Sequence, residues 1–129
     1  MTAQRRLAPS LVKIAALYLL VGLGIGMCVG ITGRYAFMSV HSHVSLAGWT
    51  TMALAALVYL AFPACERSRL APVHFWLHNI GLPVMVGGLA LKAAGEERAE
   101  PVVALGSIVV VVAMAFFTAN VFINARAES

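Results

Sequence analysis

Between Lys13 and Arg34 the chain runs through "IAALYLLVGLGIGMCVGITG" without one charged side chain. A helix of roughly 20 such residues crosses the hydrocarbon core of a bilayer. Backbone polar groups in lipid must be satisfied within their own segment, so such a stretch has to be helical. Segments at about 12–33, 39–63, 73–92 and 101–123 all qualify as spans. The chain is 61% hydrophobic and only 11% charged, whereas soluble domains run near half and near a quarter. The expected fold is therefore an all-α integral membrane protein, one four-helix domain over residues 1–129. The connections "GRYAFMS", "PACERSRLAP" and "AAGEERAEP" carry the turn residues and much of the charge.

Basic residues set the expected orientation. With the N-terminus inside, the inner segments hold Arg5, Arg6, Lys13, Arg67, Arg69 and Arg126, and the outer ones Arg34, Lys92 and Arg98. That asymmetry favours both termini inside, in what is expected to be a bacterial inner membrane. No basic stripe with aromatic or polar readers is visible, so nucleic acid is not an expected partner. A cleaved signal peptide is not expected: the first apolar run is too long and lacks a convincing small-residue cleavage site. Cys28 and Cys65 fall toward opposite faces of the membrane, which argues against a disulfide.

Gly22, Gly26 and Gly30 recur every fourth residue on the first span. With no strand before it, "GLGIG" reads as a close helix–helix contact through small residues rather than a nucleotide loop. Pro83 is expected to kink the third span unless neighbours re-satisfy the freed carbonyl.

The chemistry-bearing stretch is "HSHVSLAGW", residues 41–49. Residues two apart on a helix point about 200° apart. If the helix includes both, His41 and His43 cannot chelate one ion, but each can serve a different partner. If the chain is extended there, both share a face. Below His41 at helical spacings come Ser45, Gly48 and Met52, and below His43 come Ala47, Thr50 and Leu54. Small residues beside an imidazole leave room for a flat ligand such as haem; they also let helices approach closely. The second pair, in "HFWLHNIG", is His74 and His78, four apart on one helical face. Such a pair offers two metal ligands, or a polar helix start near the interface with Phe75 and Trp76 in the aromatic belt. Asn120, near a span end, reads as structural. No nucleophile, base and acid fall together as a hydrolytic set.

Residues 41 to 92 resemble the late helices of subunit I of the haem-copper oxidases. The shared pattern is H-x-H-x-x-x-x-G in "HSHVSLAG", an aromatic and Phe-Pro helix end in "YLAFP", a basic loop, and then "HFWLHNIG". The resemblance implies that His41 ligates a high-spin haem and His43 a low-spin haem. It implies no iron for His74 and has no counterpart for His78. The family's copper-site histidines and cross-linked tyrosine lie on helices that this chain lacks. The likeness therefore implies ancestry rather than complete oxygen reduction by one chain, and leaves open whether the protein is an enzyme. Twelve helices in three four-helix arcs make up that subunit. One such arc is the expected architecture here, and a homotrimer would rebuild the larger shape.

The expected function is a membrane haem b protein with bis-histidine, low-spin iron for electron transfer or redox and gas chemistry, with an unidentified redox partner. Haem would sit at protomer interfaces, between His41 of one protomer and His43 of the next, with Gly48 beside it. No C-x-x-C-H occurs, so covalent c-type haem is not expected. The alternative is a carrier or assembly factor handing haem or copper to a respiratory oxidase. Copper gains little from Met27, Met38, Met52, Met85 and Met114, which show no M-x-x-M clustering and read as packing.

Overall fold

The computed structural model describes residues 6–127. It is all-helical, with no strand among the described residues. Helix α1 is Leu7–Thr32. It ends where Gly33 takes a left-handed conformation (φ 69°) and its N–H closes on the Val29 carbonyl at 2.9 Å, a termination that glycine accepts without strain. A 3₁₀ turn at Tyr35–Phe37 leads into α2, Met38–His43. The helix then widens into a π-segment, Val44–Thr50, before resuming as α3, Thr51–Ala61. Pro63 opens the short α4, Pro63–Arg67, its fixed φ suiting the first helical turn. Helix α5 is Leu70–Ala93, and α6 is Glu100–Asn124 after a 3₁₀ turn at Glu97–Ala99.

Three helical stretches are long and apolar enough to cross a membrane: Leu7–Thr32, Tyr35–Ala61 and Glu97–Asn124. Helix α5 is nearly as long, at 24 residues, but is not among them. His74, His78, Asn79 and Lys92 lower its apolar character. Pro83 sits exposed inside α5, and the helix runs through it unbroken.

Helix α1 packs along the π-segment and α3, while α5 and α6 form the closest pair. Glycine makes that closeness possible. A Cβ on Gly106 would lie 2.3 Å from the Met85 backbone nitrogen, and one on Gly88 would lie 2.9 Å from the Val103 nitrogen. The glycine row of α1 is used in part. Gly22 meets Ser45 and Val44, Gly26 meets the His41 ring, and Gly30 faces open space. The core gathers Leu11, Ala15, Met52, Ala56, Tyr59, Leu82 and Met85. Buried Asn120 ties α6 to α4 by donating to the Cys65 carbonyl (2.9 Å), and accepts from Asn124 (2.8 Å). Both cysteines are free thiols.

Candidate functional site

Both histidines of "HSH" fall in α2, and they diverge. The half-buried His41 turns to α1: its Nδ1–H donates to the Gly22 carbonyl at 2.7 Å. Its ring rests where Gly26 lacks a side chain; a Cβ there would stand 2.7 Å from His41 Cε1. His43 is exposed, and its Nδ1–H donates to the Ser39 carbonyl of its own helix, also at 2.7 Å. A carbonyl oxygen only accepts, so in both rings the proton belongs on Nδ1 and Nε2 keeps a lone pair. A backbone carbonyl on one nitrogen with the other nitrogen bare is the set-up of metal-bound histidine. The two rings do not converge on one point, since one lies against α1 and the other on the outer surface.

The faces beneath them differ. Under His41, Ser45 packs on Gly22 and Met52 lies in the core. The room over Gly48 holds the Tyr18 ring: a Cβ there would stand 2.6 Å from Tyr18 Cγ. Gly48, expected beside a cofactor, in this structure admits a side chain of α1. Under His43 the surface stays open, with Thr50 and Leu54 exposed.

The second pair, expected as two metal ligands or as a polar helix start near the interface, lies inside the bundle. His74 and His78 are both 0% exposed. Tyr59 Oη lies 2.8 Å from His74 Nδ1, His74 Nε2 lies 3.3 Å from His78 Nδ1, and His78 Nε2 lies 2.9 Å from the Ala47 carbonyl. The carbonyl sets the direction of the whole chain. His78 must donate from Nε2, so its Nδ1 accepts from His74 Nε2–H, and His74 Nδ1 accepts the Tyr59 hydroxyl proton. All four ring nitrogens are thereby used, and none is left for a metal. Among the described residues, no three His, Cys, Asp or Glu side chains gather into a metal cluster.

The π-segment explains why Ala47 has an oxygen to offer. The Thr51 N–H reaches back to Leu46 rather than Ala47, so the Ala47 carbonyl loses its α-helical partner. His78 supplies the replacement from across the bundle. Buried polar groups in apolar surroundings need such partners, and π-segments occur often at functional sites.

Tyr59 is the member of this chain that sequence reasoning passes over. The signal lies in the hairpin. The short α4 and the turn at Ser68–Arg69 after it reverse the chain, which brings the end of α3 to the start of α5.

No family model matches this chain, and neither the curated proteins nor the solved structures contain a match.

Proposed function

We propose that the protein is an integral membrane haem b protein in which His41 and His43 serve as axial ligands on different haems or on opposite sides of shared ones. The carrying observation is that both Nδ1–H groups donate to backbone carbonyls at 2.7 Å, which frees both Nε2 lone pairs. Divergent rings call for two separate iron positions per chain, or for ligands from two chains to each iron. A homotrimer with His41 of one protomer and His43 of the next on each haem satisfies the second arrangement. On this reading α5 is the fourth span, with its imidazoles turned inward away from lipid, and both termini face the cytoplasm. The four-helix unit would stand for one arc of a haem-copper oxidase subunit I. That part of the proposal rests on the likeness across residues 41–92 alone.

Haem bound by two neutral imidazoles supplies a low-spin, one-electron carrier. The chain's part is to fix each ring through its carbonyl bond, keep Nε2 unprotonated, and surround the group with apolar side chains. An exposed His43 also favours a second reading, a carrier that hands haem or copper to a larger oxidase, because an open ligand exchanges readily.

Absorption spectra of the purified protein test the proposal. Sharp reduced α and Soret bands are expected, lost in both His41→Ala and His43→Ala, with a native mass of three chains. Full haem content in either variant would refute shared ligation. Copper without haem in metal analysis would turn the assignment to the carrier.

A further inference from the structure

At the α4 end of the bundle a cavity of about 770 Å³ opens between the start of α1 and the α4–α5 turn. Arg6, Arg67 and Arg69 line it, with Ser10, Ser68 and Glu66 among the polar neighbours and Phe75 and Trp76 on its α5 side. Three guanidiniums against one carboxylate leave a local charge of +2. The carboxylate is engaged elsewhere, since Glu66 Oε1 accepts the Ala8 N–H at 2.9 Å and caps α1. The ion pair found among the described residues is Lys92–Glu100, at the other end of the bundle. Among the described residues, none of the three arginines is paired with a carboxylate. Ser68 Oγ accepts from the Leu70 N–H at 3.1 Å, which leaves its own proton to donate.

We propose that this cavity binds the phosphate of an anionic phospholipid. Guanidinium is the side chain best matched to phosphate oxygens, and basic pockets at the cytoplasmic ends of membrane helices take anionic headgroups. The apolar half of a lipid has a matching track. Trp76 is 60% exposed, and Val73 and Ile80, three and four positions away on α5, are exposed on either side of it. An indole at this level is the usual anchor at the headgroup boundary. A soluble anion would use the arginines and ignore this apolar ridge. A phospholipid uses both, which is why the lipid is the assigned ligand. The inference does not depend on the haem reading.

The test uses the full chain in detergent micelles, where membrane orientation plays no part. Native mass spectrometry compares binding of short-chain phosphatidylglycerol and phosphatidylcholine. Preference for phosphatidylglycerol is expected to fall about tenfold or more in Arg67→Gln/Arg69→Gln, given the usual worth of a basic residue at an anionic surface. The double variant Arg34→Gln/Arg98→Gln, which removes equal charge from the opposite end, is expected to keep it. Trp76→Ala should weaken both lipids. Arg6→Gln, outside the turn, gives an independent reading should the first double variant misfold, with a smaller loss in the same direction. Equal affinity for the two lipids in the native chain would overturn the proposal. So would equal losses in both double variants, or displacement of the lipid by equimolar inorganic phosphate.

Discussion

His78 donates through Nε2 to the carbonyl of Ala47 at 2.9 Å, joining α5 to the one stretch of the second helix whose hydrogen bonding departs from the α pattern. The bond fixes the hydrogen positions of the Tyr59–His74–His78 chain. It also supplies the partner that the π-segment would otherwise lack.

Replacing His78 with Leu should be costly for that reason. It strands the Ala47 oxygen and the His74 Nε2–H together, and unpaired buried groups cost about 1–3 kcal/mol each. A lowered unfolding midpoint in mixed micelles is expected, with His78→Gln recovering part of it through its amide N–H. Unchanged stability in His78→Leu would mean that the bond does not hold the segment.

The four histidines should divide into two tautomeric classes. His41 and His43 carry their proton on Nδ1, whereas His74 and His78 carry theirs on Nε2: a carbonyl acceptor dictates the first two and His78, and His74 follows by donating to His78 Nδ1. Side-chain ¹⁵N resonances of the haem-free protein, assigned by single His→Gln changes, distinguish the two patterns directly. A single common tautomer would contradict the geometry.

Gly26→Ala and Gly30→Ala form a matched pair. An added methyl at position 26 would stand 2.7 Å from His41 Cε1, whereas position 30 faces open space. The first should displace the His41 ring and, on the proposed haem reading, reduce haem content; the second should leave both unchanged. Equal haem in both proteins would separate His41 from the site.

His41→Ala and His43→Ala should differ in stability even where both lose haem. His41 is packed against α1, whereas His43 is exposed and bonded only within its own helix. A surface change of the latter kind shifts stability within about 0.5 kcal/mol, so thermal unfolding of the haem-free proteins should separate the variants.

Long uncharged runs and the turn residues Gly33 and Pro63 made the helices legible, since lipid leaves a backbone few alternatives. The two-residue spacing made the divergence of His41 and His43 legible once both lay in one helix. The π-segment was not, because "VSLAGWT" contains no proline and a lone glycine is tolerated within a helix, and its freed carbonyl is satisfied by a donor from α5. Nor was the inward burial of His74 and His78. It depends on the hairpin register that brings Tyr59 to them, a tertiary fact that a pattern of four within one helix does not encode. The space beside Gly48 looked available because the residue that fills it, Tyr18, lies on another helix.

The wide turn at Val44–Thr50 works as a one-residue slack in an otherwise rigid rod. Tightening that stretch to regular α pitch at unchanged length would swing the rod's upper half by about 100° against its lower half. His41 would leave its glycine seat while Tyr59 stayed in place. The length of that seven-residue loosened stretch thus sets the angle between the two halves of the molecule's polar equipment.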